Sequence, residues 1–326
     1  MTAGPAPRRA ADPARTIFFG SGTFAVPILD TLAALPGVSV VAVVTAPPRP
    51  AGRSGTPTPT PVAERAAGLG LTVLTPARVR APESAAELAA LQPDLGVLAD
   101  YGQIVPQALL DLPALGILNV HPSLLPRHRG ATPIPATIAA GDAEAGVTIF
   151  RMDAGVDTGP VVAAASWPLT GTETAPELEA EAAGRGAALI AETVDGWLDG
   201  RLPAHPQAAD GVTTTRPFRR EDGRLDPTRP ARELERLVRA HEPWPGSFVD
   251  TRLGRVAVLH ATVAAGQPDD VVGTLVEDDG RLALATTDGR LVFERARREG
   301  RRASDGPEFL RGQRDLVDTG ILPGPA

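Results

Sequence analysis

The stretch TIFFGSGTFAVPILDTLAALPGVSVVAVVT, residues 16–45, contains the pattern that decides the fold. Its first five residues and residues 38–45 are short apolar runs, which is typical of parallel strands that are buried on both faces. Between these runs, residues 24–35 show the apolar spacing of a helix. The stretch therefore predicts a β-α-β unit, from which doubly wound sheets are built.

The same alternation continues along the chain. Two further apolar runs, LGVLA at 95–99 and GILNV at 116–120, predict additional buried strands, and residues 81–93 and 173–200 predict helices. We therefore expect an α/β domain with a doubly wound, mostly parallel, Rossmann-like sheet.

The C-terminal part has a different pattern. A Pro- and Ala-rich segment is followed by a helix at 232–241, and then by short alternating strands with Gly turns at 256–263 and 273–296. Such strands predict a small, OB-like β barrel. The predicted organisation is a disordered tail at 1–14, the α/β domain at 15–202, a linker at 203–211 and the barrel domain at 212–326.

Composition excludes several classes of protein. The chain has 326 residues, 43% of them hydrophobic, and no Cys, so disulfide frameworks, thiol nucleophiles and Cys-based metal sites are excluded. The opening residues lack the apolar segment of a signal peptide, and no run approaches the roughly 20 apolar residues of a membrane span. We expect a soluble, cytoplasmic monomer that has no membrane partner.

The basic residues are all Arg or His, and the net charge is −7. Charge is concentrated after residue 200, where 20 Arg stand against 20 acidic residues. Groups of Arg can bind phosphate, although they are also common on solvated surfaces.

The segment GSGTFA, at 20–25, fits the dinucleotide fingerprint G-x-G-x-x-G/A. That fingerprint also requires an acid about 20 residues later, and TAPPRP at 45–50 supplies none. Arg49 could bind a 2′-phosphate, so an NADP-dependent oxidoreductase stays open as an alternative. The other interpretation is that these glycines only permit a tight turn.

The segment LNVHPSLLPRHRG, at 118–130, places Asn119 and His121 two residues apart at the end of a predicted strand. Residues with this spacing project from the same face of a strand, and open α/β sheets bind ligands beyond the carboxyl ends of their strands. An amide and an imidazolium that point to one place can stabilise an oxyanion. The alternative is that both residues only cap a loop.

Together with GDAEAGVTIFRMDAGVDTGPVV at 141–162, this segment resembles the folate-dependent formyltransferases. The resemblance covers nearly the whole chain in order, and it is strongest to those members that formylate methionyl-tRNA. The other matching segments are FGSGTFAVPILDTL (19–32), RPAGR (49–53), ADYGQIVP (99–106), REDGRLD (220–226), RAHEPWPG (239–246) and FLRG (309–312).

This resemblance implies an activity and a set of site residues. The expected reaction transfers the formyl group of 10-formyltetrahydrofolate to the α-amine of initiator methionyl-tRNA, with Asn119, His121 and Asp157 as catalytic residues. No metal is expected, because no cluster of metal ligands is visible. The implied folate-binding residues are Leu98, Ala99, Asp100, Tyr101, Gly102, Ser123, Leu124, Leu125, Pro126, Asp153, Ala154, Gly155 and Val156. Asp100 departs from several relatives, which carry an apolar residue there.

The same resemblance implies that arginines bind the tRNA. The candidates are Arg49, Arg53, Arg219, Arg220 and Arg224. In better-known relatives more basic residues follow Arg53, whereas this chain has SGTPTPTP at 54–61. Two other functions stay open: a formyltransferase that acts on an amino-sugar nucleotide, and a folate- or RNA-binding protein without catalysis.

Overall fold

The computed structural model describes residues 12–51 and 56–324. Contacts between residues divide the chain into two compact units. Unit 1 contains the described residues of Met1–Pro133, Glu144–Pro168 and Glu179–Thr215. Unit 2 contains those of Ile134–Ala143, Leu169–Leu178 and Arg216–Ala326.

A seven-stranded sheet forms the centre of unit 1, with the order β10-β9-β7-β6-β1-β2-β5. The strands up to residue 215 are β1 (Ala14–Gly20), β2 (Val38–Val44), β3 (Arg49–Ala51), β4 (Thr56–Thr58), β5 (Val73–Leu74), β6 (Leu95–Ala99), β7 (Ile117–His121), β8 (Arg129–Gly130), β9 (Glu144–Arg151), β10 (Val161–Pro168) and β11 (Thr214–Thr215). Five strands of the sheet are parallel, whereas β9 and β10 are antiparallel to their neighbours. The predicted doubly wound, mostly parallel sheet is confirmed.

Helices connect these strands. They are α1 (Ala25–Ala34), α2 (Pro61–Gly68), α3 (Pro82–Ala90), α4 (Gln107–Leu110), α5 (Pro133–Ala140) and α6 (Ala175–Leu198). The apolar positions Ile28, Leu29 and Leu32 of α1 are fully buried, which accounts for the helical spacing in the sequence.

The winding direction changes between β1 and β6. The chain continues from β1 to β2 on one side, whereas β6 and β7 lie on the other side. The loops that follow β1 and β6 are therefore neighbours, and the Ser21 N–H donates to the Asp100 carbonyl oxygen over 2.9 Å. A switch point of this kind is the usual ligand position in an open α/β sheet.

Unit 2 is built on a curled antiparallel sheet with the order β12-β13-β16-β15-β14, and β17 pairs with β16. Its strands are β12 (Ser247–Thr251), β13 (Gly254–Ala264), β14 (Leu275–Asp278), β15 (Arg281–Ala285), β16 (Arg290–Arg298) and β17 (Ser304–Asp305). Its other helices are α7 (Ala231–Ala240), α8 (Gly306–Gly312) and the 3₁₀ turns Arg220–Gly223 and Arg314–Leu316.

The C-terminal segment bridges the two edge strands of this sheet. Leu275 of β14 donates its N–H to the Thr319 oxygen over 2.9 Å, and Leu322 donates to the Asp250 oxygen of β12 over 2.7 Å. Inside the curl, Leu234 and Val238 of α7 pack with the strand residues of one buried apolar cluster. The prediction of a small barrel-like second domain is confirmed.

The segment predicted as a linker, 203–211, makes contacts within unit 1. His205 and Val161 exchange backbone hydrogen bonds of 2.7 and 2.8 Å. Shortly after it, β11 pairs in parallel with β8. No helix in the described part of the chain is both long enough and apolar enough to cross a membrane.

Candidate active site

Strand β7 holds the first two site residues. Asn119 pairs with Leu98 of β6 and with Phe150 of β9, so it lies in the middle of the sheet. Asn119 is 6% exposed and His121 is 5% exposed. Within residues 12–51 and 56–324, the amide of Asn119 has no hydrogen-bond partner, so its donors and its acceptor are free for a ligand.

The imidazole of His121 lies between two acceptors. Its Nε2 is 3.1 Å from the His128 carbonyl oxygen, which can only accept, so Nε2 carries a proton. Its Nδ1 is 3.7 Å from Oδ2 of Asp157. Burial lowers the pKa of His121 below its usual value, and the Asp157 carboxylate and the bond to the His128 carbonyl oppose this shift only in part.

Asp157 reaches His121 through a returning loop. Strand β9 runs antiparallel to β7 and ends at Arg151, opposite Leu118, so a straight continuation would move away from His121. Instead, the loop places the Asp157 backbone in the left-handed region, with a φ of 53°. The Gly130 N–H donates to Asp157 Oδ2 over 2.7 Å and fixes the carboxylate beside the imidazole.

The loop DAGVDTG, at 153–159, is held by its own side chains. Oδ1 of Asp153 accepts from the Gly155 N–H over 3.1 Å and from the Thr158 hydroxyl over 2.6 Å. A Cβ on Gly159 would lie 1.9 Å from the Arg151 oxygen, so only glycine fits there. The sequence DAGVDTG is therefore required for the conformation of this loop, in addition to any chemistry of Asp157.

These three side chains offer complementary chemistry. The amide of Asn119 offers a free hydrogen-bond donor, and Asp157 offers a carboxylate that accepts protons. His121 can carry positive charge between them. Both nitrogens of His121 already face protein acceptors, so His121 can donate to a substrate oxygen only by sharing or exchanging one of these contacts.

The residues implied for the folate lie in three loops of unit 1. Leu98 and Ala99 end β6, and the next residues form the loop 100–102. Ser123 to Pro126 follow β7, where the Ser123 oxygen accepts from the Thr148 hydroxyl over 2.7 Å. Asp153 to Val156 belong to the loop 153–159, and Val156 is 64% exposed.

Two of the folate candidates have distinct environments. The ring of Tyr101 packs edge-on against Phe19, with centroids 5.7 Å apart, as part of an apolar cluster. Burial raises the pKa of the Tyr101 phenol to about 12, and among the described residues its hydroxyl has no partner. Burial and the nearby Glu179 raise the pKa of Asp100, so this carboxyl takes up a proton more readily than usual.

The glycine-rich turn after β1 does not have the environment of a pyrophosphate site. A Cβ on Gly22 would lie 1.8 Å from Oδ2 of Asp100, so the glycine makes room for a carboxylate. A carboxyl group at this position disfavours the approach of a phosphate. The dinucleotide interpretation is therefore not favoured.

The arginines predicted to contact tRNA lie in different places. Arg49 begins β3 on the surface, and Arg53 lies outside the described residues. Arg219 and Arg220 are exposed, and the charge of Arg219 helps to lower the pKa of the nearby Asp222 carboxyl. Arg224 differs, because its Nη2 donates to Asp250 over 2.5 Å and its guanidinium lies over the Phe248 ring.

Several groups around the site have no motif in the sequence. They are the Gly130 N–H, the His128 carbonyl and the side chain of Gln207, which donates to two backbone oxygens of the loop 153–159. Backbone groups carry no residue-type signal, and a single Gln in a Pro- and Ala-rich segment gives none. Apart from the lengths of the segments that connect the strands, no feature of the sequence indicates these contacts.

Comparisons with known proteins agree with this geometry. The model of the formyl transferase family matches residues 14–194, and that of the formyl transferase C-terminal domain matches residues 217–314. A methionyl-tRNA formyltransferase from Roseiflexus castenholzii is 42% identical over 301 residues, which cover 92% of this chain and 96% of the relative. The chain belongs to the methionyl-tRNA formyltransferase family. The methionyl-tRNA formyltransferase of Paramagnetospirillum magneticum is 44% identical over 299 residues, covering 91% of this chain and 96% of the relative.

A solved formyltransferase shares the fold. An N-formyltransferase from Helicobacter canadensis, in complex with folinic acid and dTDP-3-aminofucose, has a TM-score of 0.63 at 16% identity. The match covers 86% of this chain and 98% of that one. Among the described residues, no group of three or more His, Asp or Glu side chains could hold a metal ion.

Proposed function

We propose that this formyltransferase moves the formyl group of 10-formyltetrahydrofolate to the α-amine of initiator methionyl-tRNA. The observation that carries this proposal is the arrangement of Asn119, His121 and Asp157. A free amide, a buried imidazole and a carboxylate 3.7 Å from that imidazole lie together in a family of formyl-transferring enzymes.

In this reaction, the amine attacks the formyl carbon and gives a tetrahedral intermediate with a negative oxygen. The Asn119 amide donates to this oxygen, and one such donor contributes roughly 3–4 kcal/mol to the stability of the transition state. Because the amide has no partner among the described residues, it loses no internal hydrogen bond when it binds the oxyanion.

The attacking nitrogen becomes positively charged and must release a proton. Asp157 accepts this proton, directly or through a water, and the proton then passes to the leaving N10 of the folate. The imidazolium form of His121 supplies positive charge near the oxyanion, and Asp157 favours that form. His121 donates to the oxyanion when its Nε2 proton is shared between the His128 oxygen and the substrate.

The folate is proposed to lie between residues 98–102, residues 123–126 and residues 153–156. The last of these belong to the loop 153–159, which we name the catalytic loop. These segments present backbone groups together with apolar side chains, a combination that suits a flat heterocycle with polar edges. The unpartnered hydroxyl of Tyr101 and the protonation-prone carboxyl of Asp100 are polar groups on the first of these loops.

The tRNA is proposed to bind arginines of unit 2. Arg219 and Arg220 fit this role, because both side chains are exposed. A pocket of about 420 Å³ adds Arg301, Arg302 and Arg311, which are exposed and whose side chains have no partner among the described residues. Such local clusters allow contact with phosphates although the net charge is −7. Arg224 instead stabilises the barrel through Asp250. Arg49 and Arg53 are proposed as further tRNA contacts.

One competition experiment tests this function. Labelled 10-formyltetrahydrofolate is offered with methionyl-tRNA, a UDP-amino sugar and glycinamide ribonucleotide together. We expect label on methionyl-tRNA. In a separate binding titration, we expect the affinity of the enzyme for tRNA to fall steeply with salt, each neutralised phosphate adding about 0.7–0.9 to the slope of log affinity against log salt concentration. Label on the amino sugar alone, or tRNA binding that does not depend on salt, would refute the proposal.

A further inference from the structure

The segment predicted as a linker contributes a side chain to the catalytic loop. Gln207 is half-buried, and its amide nitrogen donates to the backbone oxygens of Asp157 and Gly159, each over 2.8 Å. Its amide oxygen accepts from Nε and Nη2 of Arg129, over 3.0 and 2.7 Å. One side chain thus uses both of its N–H donors and its oxygen.

The orientation of this amide is determined by its partners. Backbone oxygens can only accept hydrogen bonds, and a guanidinium can only donate them. The nitrogen of Gln207 must therefore face the catalytic loop, and its oxygen must face Arg129. A Glu at this position would have the same size and would still bind Arg129, but it would direct an acceptor toward two carbonyl oxygens.

These bonds act where the backbone is held away from its preferred conformation. Asp157 has a φ of 53°, which is unfavourable for a residue with a side chain unless its surroundings hold it there. The Gly130 N–H holds its carboxylate, and Gln207 holds its main chain. Arg129, which precedes Gly130, holds Gln207, so the two contacts on Asp157 are linked through neighbouring residues.

A second set of bonds ties the same two segments together. Arg129 donates its N–H to the Thr213 oxygen over 3.0 Å, and the Thr213 hydroxyl accepts from the His128 N–H over 2.8 Å. The carbonyl of His128 is the group that faces Nε2 of His121. The segment 205–215 therefore contacts residues on both sides of the imidazole.

We propose that Gln207 is a positioning residue for Asp157, and that the segment 205–215 is part of the active-site structure. This inference rests on the catalytic role proposed for Asp157. Without the Gln207 bonds, the catalytic loop relaxes and the distance between Asp157 and His121 is no longer fixed. A displacement of about 1 Å in a reacting group can lower a rate about 10²-fold.

Two variants of Gln207 and one control test the proposal in the full-length enzyme. Gln207→Ala removes all of its bonds, and Gln207→Glu keeps the size but not the donors. The control is Gln107→Ala, because Gln107 is exposed and, among the residues that the structure describes, its side-chain amide donates only to Asp111. We expect both Gln207 variants to lower kcat about 10–100-fold and to leave the KM for folate within about twofold, while the control keeps wild-type values.

A second readout does not depend on activity. The pKa of His121 is measured by NMR in the free enzyme, where the Asp157 carboxylate raises it. We expect this pKa to fall in Gln207→Ala and not in the control. The added carboxylate of Gln207→Glu would itself raise the pKa of a nearby imidazole, so that variant is judged by kcat. If wild-type enzyme does not formylate methionyl-tRNA, the proposed function fails, but the NMR titration still decides whether Gln207 positions Asp157.

Other results would overturn the inference. Wild-type kcat in Gln207→Glu would show that only the size of the side chain matters. An unchanged His121 pKa in Gln207→Ala would show that Asp157 does not depend on Gln207. A loss of folate affinity without a change in kcat would show a binding role instead.

Discussion

Replacing Asp157 by Asn tests the centre of the mechanism. The Asn amide oxygen can still accept from the Gly130 N–H, so the loop conformation has no reason to change. What is lost is one negative charge 3.7 Å from His121 Nδ1. At an effective dielectric constant of about 20, two unit charges at about this distance attract each other by about 4 kcal/mol. Since about 1.4 kcal/mol corresponds to tenfold in rate, we expect kcat to fall about 10³-fold.

The assay is single-turnover formyl transfer to methionyl-tRNA at saturating folate, from about pH 6 to 9. The control is Asp111→Asn, which removes the same charge from an exposed position in unit 1. Folate affinity should be unchanged in both variants, because the carboxylate acts on charge that develops in the transition state. A kcat of Asp157→Asn within about tenfold of wild type at every pH would refute the role given to this carboxylate.

Three further outcomes follow from other contacts. Asn119→Ala should lower kcat about 10²–10³-fold at unchanged folate affinity, and normal turnover would refute its role as oxyanion donor. Gly159→Ala should lower kcat about tenfold or more, since its Cβ would lie 1.9 Å from the Arg151 oxygen and displace the loop; full activity would contradict this. Burial lowers the pKa of His241 to about 4, below the usual 6.5. The contribution of His241 to the free energy of unfolding is therefore complete above pH 6.5 and is lost as the pH falls toward 4. Urea unfolding should show that the free energy of unfolding of the wild type falls by about 3 kcal/mol between pH 6.5 and pH 4, and that His241→Gln lacks this part of the pH dependence. Equal losses in both proteins would exclude His241 as the source.

Much of the fold follows from local patterns. The apolar runs of β1, β6 and β7 are continuous because both faces of these strands are mostly buried, and that property is visible in the sequence. The spacing of Leu234 and Val238 likewise predicts α7, because both side chains enter the core of the second unit. Short pairings such as β8 with β11 could not be predicted, since two-residue strands have no periodicity.

Less of the candidate site than of the fold can be predicted from the sequence. Strand alternation places Asn119 and His121 on one face, so their proximity is predictable. Asp157 is different, because β9 ends opposite Leu118 and only the turn of the loop brings the carboxylate back to His121. Asp157 was predicted from the resemblance to a family, whereas the alternation of side chains along a strand predicted that Asn119 and His121 lie close together. The contacts of Gln207 could not be predicted from the sequence, because its partners are two backbone oxygens and an arginine that is distant in the chain.

The protonation of His121 links these contacts to the chemistry. The His128 carbonyl requires a proton on Nε2, so the neutral imidazole directs the Nδ1 lone pair toward the Asp157 carboxylate, and the two repel each other. A second proton on Nδ1 converts this repulsion into an ion pair, but burial opposes the charged ring. Negative charge on the substrate oxygen adds a further attraction for the imidazolium and shifts this balance. The site can therefore become more positive as the intermediate forms, provided that Gly130 and Gln207 keep Asp157 in place.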